Sequence, residues 1–476
     1  MANTNPQQVI NLFEFSNKEK YSGDVSELKS FLNEIWENYQ KEKSENQFHS
    51  EEEEFDEDVR KTQKFITFLD EDKIKSKNFI GFIRYNNQTI NLLPKIFFDK
   101  SKNNHSEEEI RVINANILWW LSYCSKFKFP KSKSNLNYLK SDFFEVFIYL
   151  FADYTRKLLE KVIYQSYEEV GSELNFMKGR LDVSAYIPEN ISKARWHKLS
   201  CVYDSFEFDN QFNRIIKFVC RLLSGASVDS ENKKRLQEII FILDEVSDVH
   251  VTVNDCEKVK LNPLFEDMIT VLDYCRLFLA NSISYSYKND FKVFAFLLPT
   301  EYVFEDFVYG FIKENFKDLN IEPKEEYLTK DKTFKIRPDI YLKIKNIPII
   351  IDMKYKLTYG RKDGECDKKY GVSQPDIYQM ISYAIRIKVE NVFLFYPETI
   401  NYSEDSKQRE PIDKTFEVKD EFSGTIINIH IAHLPIIKKD FPTLDSNKSL
   451  EENFKNTKEY LITKLKNIFG SINPNE

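Results

Sequence analysis

The chain has 476 residues, of which 42% are apolar and 30% charged, and its formal net charge at pH 7 is -8. This length and apolar content predict two or three globular domains with packed cores. The negative charge argues against strong autonomous DNA binding, because contacts with phosphates dominate nucleic-acid affinity.

Neither a targeting segment nor a cysteine cluster is predicted. The amino-terminal stretch MANTNPQQVINLFEF is polar and does not resemble a secretory signal. No apolar run approaches the ~20 residues that a membrane helix requires. The six cysteines are scattered without a C-x-x-C pair, which disfavours a zinc site and indicates reduced thiols. These features predict a cytoplasmic protein that does not contact a membrane.

Residues 1–105 are predicted to form a strand-rich α+β domain. The stretch SELKSFLNEIWENYQ is typical of a helix, and KFITFL, FIGFIRY and TINLLPKIF are typical of strands. A turn at Asn86-Asn87 or a neighbouring pair would join the last two strands. An acidic insertion at 41–60 contains EEEEFDED at 51–58, which predicts a solvated loop.

Residues 106–288 are predicted to be mainly helical. Apolar residues recur at helical spacing in INANILWWLSYCSKF, FFEVFIYLFADYTRKLLEKVIYQSY, FNRIIKFVCRLLS and KRLQEIIFILDEV. No Gly-Lys dipeptide occurs anywhere in the chain, so the G-x-x-x-x-G-K-[ST] phosphate loop is missing. The chain is therefore predicted to have no nucleotide site of its own.

The third predicted domain, residues 289–476, begins with an amphipathic helix, EYVFEDFVYGFIKENF. Thr300 is its predicted N-cap. Glu301 and Glu305 are one turn apart on the same side, and either could be a metal ligand. We prefer Glu305, because Glu301 at the helix start can be explained by the positive helix N-terminus.

The segment RPDIYLKIKNIPIIIDMKYK at 337–356 is the most informative part of the sequence. A two-residue turn at Lys345-Asn346 would place Asp339 directly across from Asp352. Side chains alternate along a strand, so Lys354 would share the face of Asp352. Such a pair of acids could be solvated surface charge, but the apolar run before Asp352 predicts a buried strand.

Two opposed carboxylates repel each other unless a cation lies between them. Mg²⁺ binds through one or two carboxylates and retains waters, so the hairpin predicts a metal-dependent phosphodiesterase site. Glu305, Asp339 and Asp352 are the predicted ligands, with the Met353 carbonyl as a possible further ligand and Mn²⁺ as a possible substitute. Lys354 would orient the attacking water or stabilise the pentavalent transition state.

Downstream of the hairpin, Ser373-Gln374-Pro375 predicts the start of a helix, DIYQMISYAIRIKVE, which the strand NVFLFYP follows. Gln379 and Tyr383 lie on one face of this helix and could support the site or contact DNA, as could Lys356. The alternative for Tyr383 is core packing. A single helix, LEENFKNTKEYLITKLKNIF, closes the chain. The element order predicts a mixed α/β fold, with a mixed sheet flanked by helices in the third domain.

These motifs resemble two protein families. Pro338-Asp339 with Asp352-Met353-Lys354 resembles the PD-(D/E)xK nucleases, and Gln379-x-x-x-Tyr383 resembles the extra motif of their RecB-like branch. Three further blocks resemble the McrC family, the nuclease subunits of McrBC modification-dependent restriction systems. They are Thr89–Ile96 (TINLLPKI), Met177–Leu181 (MKGRL) and the C-x-Y-D…D…N-R pattern of Cys201, Tyr203, Asp204, Asp209, Asn213 and Arg214.

The resemblance to McrC implies an endonuclease subunit that cleaves modified double-stranded DNA and stimulates a partner, a hexameric McrB-like AAA+ GTPase. It also implies that the strand-rich first domain docks in the ring of this motor. Two alternatives stay open at this point. The chain could be a stand-alone RecB-like nuclease in DNA repair or phage defence, or a non-catalytic adaptor that only activates the motor.

Overall fold

The structure is a computed structural model that describes residues 8–45, 63–85, 88–99, 102, 105–124, 142–261, 266–281, 293–358, 361–362, 365–366, 368–400, 413–421 and 424–472. The acidic run at 51–58 and the turn predicted at Asn86-Asn87 lie outside these residues.

Strands occur along most of the described chain. They are β1 (Gln8–Phe13), β2 (Glu19–Lys20), β3 (Ile66–Phe68), β4 (Lys73–Ser76), β5 (Phe79–Tyr85), β6 (Gln88–Leu93), β7 (Ser166–Leu174), β8 (Arg180–Leu181), β9 (Leu199–Glu207), β10 (Val293–Pro299), β11 (Ile321–Glu322), β12 (Glu326–Tyr327), β13 (Lys335–Ile336), β14 (Ile340–Ile344), β15 (Ile347–Met353), β16 (Arg361–Lys362), β17 (Glu365–Cys366), β18 (Asn391–Pro397), β19 (Lys414–Lys419) and β20 (Ile426–Leu434).

Helices lie between groups of these strands, and some of them follow one another directly. They are α1 (Val25–Glu45), α2 (Glu107–Leu121), α3 (Phe143–Lys161), α4 (Val183–Tyr186), α5 (Gln211–Ala226), α6 (Ser230–Ile242), α7 (Val253–Lys258), α8 (Glu266–Asn281), α9 (Thr300–Asn315), α10 (Gln374–Ile387), α11 (Leu450–Asn453) and α12 (Lys455–Gly470). The predicted mixed α/β fold is confirmed. The closing helix is two helices rather than one, because the chain leaves the helical conformation at Phe454.

A four-stranded sheet contains the strand predicted from TINLLPKIF. Its order is β1–β6–β5–β10, with β6 parallel to β1 and antiparallel to β5. The edge strand β10 pairs with β5 along its whole length and leads directly into α9. A segment from the start of the predicted third domain thus completes the amino-terminal sheet. Leu92 and Leu93 of β6 are buried, as their apolar pattern predicts.

A six-stranded mixed sheet contains the hairpin. Its order is β11–β14–β15–β18–β20–β19, with β15, β18 and β20 parallel to one another. Strand β14 pairs antiparallel with β15 through the predicted turn, where Lys345 and Asn346 have φ values of 48° and 69°. Positive φ at both central residues is what a two-residue turn of type I′ requires.

Helix α10 covers one face of this sheet. The helix begins after Ser373, whose side chain accepts a hydrogen bond from the Asp376 N–H, so the predicted helix start is confirmed. Met380 and Ala384 of the helix pack with Ile350 of β15 and with apolar residues of β18 and β20. Because Ile350 and its neighbours are buried on both faces of β15, the run before Asp352 is central to the sheet.

Residues 147–291 form a separate compact unit, whereas 1–146 and 292–476 together form the other. The separate unit contains α5–α8 and also a sheet of order β7–β9–β8, which the helical periodicity did not predict. Helix α3 therefore ends at Lys161 rather than continuing into the segment that forms β7. The three domains predicted at 1–105, 106–288 and 289–476 were assigned from sequence motifs and from the predicted helices and strands. This division stays a prediction.

Helices long and apolar enough to span a bilayer are not found in the described part of the chain.

Candidate active site

Two aspartates lie at the open end of the β14–β15 hairpin. The register pairs Ile340 with Ile351, so Asp339 and Asp352 are the next residues opposite each other. Oδ2 of Asp339 accepts a hydrogen bond of 2.7 Å from the backbone N–H of Met353. Asp352 is 2% exposed, whereas part of the Asp339 side chain is accessible. The turn thus brings two carboxylates together, one of them buried in the sheet.

Lys354 supplies a positive charge beside this pair. Its Nζ lies 2.9 Å from Oδ2 of Asp352, and about a quarter of its side chain is accessible. The contact is an ion pair without hydrogen-bond geometry, and Oδ2 of Asp352 makes no hydrogen bond with the described residues. The alternation along β15 therefore places the lysine and Asp352 together, as the D-x-K spacing indicates.

The electrostatics of the pair follow from burial and from like charge. Burial raises the pKa of Asp339 well above its ordinary value, and the negative charges of Asp352 and Glu305 raise it further. Burial also raises the pKa of Asp352, although Lys354 opposes this effect. Burial acts to lower the pKa of Lys354, but the carboxylates of Asp352 and Asp339 outweigh it and raise the pKa. A positive charge between the aspartates would relieve this repulsion.

Helix α9 carries the two candidate glutamates. Its N-cap is Pro299 and Thr300 is its first residue, so the N-cap role predicted for Thr300 is wrong. The Thr300 hydroxyl instead donates to the buried carboxylate of Glu14, at 2.6 Å. Glu305 is partly buried and its charge acts on Asp339, whereas Glu301 is exposed and its charge acts on Lys95. Glu305 is therefore the better placed of the two as a third ligand.

Gln379 and Tyr383 face the same site from helix α10. The Gln379 side-chain N–H donates to the Tyr383 hydroxyl at 2.8 Å. Burial raises the pKa of Tyr383, and the charge of Asp352 raises it further. The tyrosine also packs against the core beneath α10. Both interpretations of Tyr383 thus fit its position, since one side contacts the core and the hydroxyl lies in the field of the aspartates.

A further acid, which the sequence analysis did not single out, supports the site. Asp376, in the first turn of α10, is buried and accepts a hydrogen bond of 2.7 Å from Nζ of Lys356. Its other oxygen accepts a hydrogen bond of 3.1 Å from the hydroxyl of Tyr396. The charge of Asp376 acts on both Asp352 and Lys354. In the sequence, an acid in a first turn suggests only a favourable interaction with the helix N-terminus.

The side chains present fit a hard divalent cation, although they do not form a complete cage. Within the described ranges, no group of three or more His, Cys, Asp or Glu side chains is close enough to hold a metal by itself. The direct opposition of Asp339 and Asp352 and the repulsion between their carboxylates favour a cation there. Mg²⁺ is commonly held by one or two carboxylates together with waters, so two carboxylates suffice to begin such a site. Met353 contributes its N–H to Asp339, and the role of its carbonyl stays a prediction.

Comparison with known proteins gives a family. A family model described as "McrBC 5-methylcytosine restriction system component" matches residues 74–397, more than half of the chain. None of the curated proteins matches the chain.

Two solved structures are similar to the chain. One is a refined half-complex from the tetradecameric assembly of Thermococcus gammatolerans McrB AAA+ hexamers with bound McrC. It matches at 19% identity and a TM-score of 0.65, covering 94% of this chain and 100% of that chain. The other is a cryo-EM structure of the Thermococcus gammatolerans McrBC complex, at 21% identity and a TM-score of 0.49, covering 65% of this chain and 88% of that chain. The first likeness shows a shared fold.

Proposed function

Because the chain belongs to the family of McrBC 5-methylcytosine restriction system components, we propose that it is the McrC-like nuclease subunit of such a system. In this proposal it hydrolyses phosphodiester bonds of double-stranded, modified DNA in the cytoplasm. The observation that carries the proposal is the Asp339–Asp352 pair with Lys354 at 2.9 Å from Asp352. A buried aspartate that faces a second carboxylate costs free energy in a purely structural hairpin.

The proposal assigns a PD-(D/E)xK core to the six-stranded sheet. Its support is the order of elements around the hairpin: α9 before it, then α10, and then β18 parallel to β15. Further support is that the charge of Glu305 acts on Asp339 and that the charges of both aspartates act on Tyr383. These are the positions at which the resemblance to RecB-like nucleases implies functional residues.

Each side chain has a role in the proposed hydrolysis. Asp339 and Asp352 would hold Mg²⁺, or Mn²⁺ in its place, with Glu305 and the Met353 carbonyl completing the protein ligands. When bound, such a cation lowers the pKa of a coordinated water and neutralises charge on the phosphate. Lys354 remains protonated, because the neighbouring carboxylates raise its pKa, and so it can stabilise negative charge in the transition state.

Three other side chains would support this chemistry. Gln379 orients the Tyr383 hydroxyl through a hydrogen bond of 2.8 Å. The hydroxyl can then donate a hydrogen bond to a DNA phosphate. Lys356 is half exposed and can contact a phosphate while Asp376 restrains it. In the proposed hydrolysis a water attacks the phosphorus and the bond from phosphorus to the 3′-oxygen breaks.

The proposal includes a partner. The similar half-complex contains McrB AAA+ hexamers with bound McrC. By analogy, we propose that this chain binds an McrB-like AAA+ GTPase hexamer, that residues 1–105 dock in its ring, and that binding stimulates GTP hydrolysis. A separate motor agrees with the lack of a Gly-Lys phosphate loop in this chain.

The decisive experiment separates cleavage from motor activation. Asp352→Asn in the full-length protein removes the buried charge while keeping the side-chain shape. We expect it to abolish DNA cleavage by the complex with its cognate GTPase and to leave GTPase stimulation intact. Asp153→Asn is the matched control, because Asp153 is also buried and also pairs with a lysine, Lys157, at 2.7 Å. It should leave cleavage intact.

The outcomes distinguish the three functions. Cleavage by the D352N complex at the wild-type rate would refute the nuclease assignment and favour the adaptor. Cleavage by the wild-type chain alone, with Mg²⁺ and no nucleotide, would favour the stand-alone nuclease.

A further inference from the structure

Lys95 is the one charged residue of the LLPKI block, and the proposed chemistry does not use it. Strand β6 ends at Leu93, because Pro94 has no N–H to continue the ladder, and a single 3-10 turn follows over Lys95–Phe97. Ile96 and Phe97 of this turn are buried, whereas Lys95 is partly accessible. The turn therefore anchors its apolar residues in the core and presents a lysine at their edge.

A buried carboxylate fixes this turn. Glu14 directly follows β1 and is 0% exposed. One of its oxygens accepts a hydrogen bond of 3.1 Å from the Lys95 backbone N–H, and the other accepts one of 2.6 Å from the Thr300 hydroxyl. Thr300 begins α9, the helix that carries Glu305. Glu14 thus joins the start of the LLPKI turn to the first turn of the helix beside the candidate site.

The Lys95 ammonium lies against the chain segment of the candidate site. Its Nζ is 4.5 Å from the ring centroid of Tyr355, which lies in the sequence between Lys354 and Lys356. Tyr355 is buried and its ring also packs against Phe304 of α9, at 5.8 Å. The position of Lys95 relative to the site is therefore set by a packed aromatic ring.

The charge of Lys95 is incompletely compensated. Its Nζ makes no ion pair or hydrogen bond with any residue that the structure describes. Burial lowers the pKa of Lys95, the charges of Glu14 and Glu301 raise it, and Lys356 lowers it again. The charge of Lys356 thus acts on Lys95 even though Asp376 pairs with Lys356, and an anion between the two ammonium groups would relieve this repulsion.

A purely structural role explains these contacts less well. The Lys95 ammonium also lies 5.9 Å from the ring centroid of Phe15, and contacts with aromatic faces stabilise a cation without neutralising its charge. A methionine at this position could pack against Tyr355 without the cost of partly burying an ammonium group. A backbone phosphate would supply the missing negative charge, and lysine is a common phosphate ligand.

We propose that Lys95 binds a DNA backbone phosphate beside the candidate active site, next to the phosphate that Lys354 and Lys356 approach. This inference rests on the proposed nuclease function and extends it, since it gives the LLPKI turn a part in holding the substrate. The amino-terminal sheet and the hairpin would then grip the same DNA backbone.

The test compares Lys95→Met with Lys95→Arg and with Lys73→Met in the full-length protein. Methionine keeps the aliphatic packing on Tyr355 but removes the charge, and arginine retains the charge. Lys73 is a half-exposed lysine of β4 that pairs with Glu71, so it controls for loss of an ordinary surface charge. The probe is a fluorescein-labelled 20-base-pair duplex in EDTA, and fluorescence anisotropy gives Kd at several salt concentrations.

Loss of one phosphate contact has a defined signature. We expect K95M to weaken DNA binding roughly 5- to 10-fold near 0.1 M salt and to reduce the slope of log Kd against log salt by about 0.9. The K95R and K73M proteins should retain the wild-type slope. A structural role would instead shift the thermal unfolding midpoint and leave the salt slope unchanged.

Two negative results have different meanings. Wild-type affinity and salt slope in K95M, with DNA binding intact in the wild type, would overturn the role of Lys95 alone. Failure of the wild type to bind or cleave DNA, with or without the cognate GTPase, would contradict the proposed function and this inference together.

Discussion

Asp376, in the first turn of helix α10, forms an ion pair with Lys356, and Nζ of the lysine lies 2.7 Å from Oδ1 of the aspartate. The aspartate is buried and also accepts a hydrogen bond from Tyr396 on β18, so its position is fixed from two sides. Lys356 in turn is half exposed. This pair links the helix that carries Gln379 and Tyr383 to the chain segment that follows Asp352.

Asp376→Asn should weaken cleavage without unfolding the protein. The asparagine oxygen can still accept a hydrogen bond from Lys356, and its amide N–H can donate to the Tyr396 hydroxyl, but the negative charge that acts on Asp352 and Lys354 is lost. Partners of metal-site residues typically contribute 10- to 100-fold in activity or metal affinity, and we expect a loss of about that size. The loss is measured as the steady-state rate of DNA cleavage by the complex with its GTPase. Tyr396→Phe is the control, because it keeps the charge of Asp376. Cleavage unchanged in D376N would mean that Asp376 is only structural.

Lys354→Met should remove cleavage while the protein stays folded. Asp352 loses its positive neighbour, so its pKa rises further and the carboxyl becomes protonated rather than remaining a buried, unpaired charge. We expect the cleavage rate to fall by on the order of 10²–10³, as for the loss of one charge-stabilising group. Lys354→Arg keeps the charge and is the control for folding, followed by circular dichroism. If K354M cleaves DNA at more than a tenth of the wild-type rate, Lys354 has no chemical role.

The hairpin could be predicted from the sequence because its geometry is local. A two-residue turn at Lys345-Asn346 sets the register, and alternation along each strand then sets which side chains meet. The strand NVFLFYP and the helix start at Ser373 were also predicted, since both have strong local signals. The mixed α/β class followed from the order of these elements.

The supporting residues could not be predicted, because their partners are distant in sequence. Glu14 contacts Lys95 and Thr300 at separations of 81 and 286 residues, and nothing near Glu14 in the sequence indicates either contact. The sheet of β7, β8 and β9 was missed for another reason. Most described residues of its strands are half-buried or exposed rather than buried, so the strands lack the apolar pattern from which strands are predicted.

A divalent cation should stabilise the folded protein through the aspartate pair. A ligand that binds only the folded state raises stability by RT ln(1 + [L]/Kd), so Mg²⁺ should raise the thermal unfolding midpoint of the wild type. The ligands must be deprotonated, and the pKa values of Asp339 and Asp352 are raised, so the shift should grow as pH increases. Differential scanning fluorimetry with and without Mg²⁺ at pH 6 and pH 8 measures this.

The Asp352→Asn protein provides the comparison for cation binding. It should show little or no Mg²⁺-dependent shift at either pH, because one of the two opposed carboxylates is gone. The Asp153→Asn control should respond to Mg²⁺ as the wild type does. An equal shift in D352N and wild type would place the cation elsewhere.

Glu14 should make the stability of the metal-free protein depend on pH. Burial raises its pKa from 4.5 to about 7, while Lys95 opposes the rise. Between these two values the folded state binds more protons than the unfolded state, so this contribution to stability is present below pH 4.5 and is lost as the pH rises through 7.

The Glu14→Gln variant cannot ionise at this position, and its free energy of unfolding should therefore fall less than that of the wild type between pH 5 and pH 8. The difference from the wild type should be on the order of 3 kcal/mol. Other buried carboxyls titrate equally in both proteins, so they cancel in that comparison, and the exposed Glu71→Gln variant should follow the wild type. Denaturant unfolding in EDTA across this range gives the two curves, and parallel curves for E14Q and wild type would show that Glu14 is ionised in the folded protein at pH 5.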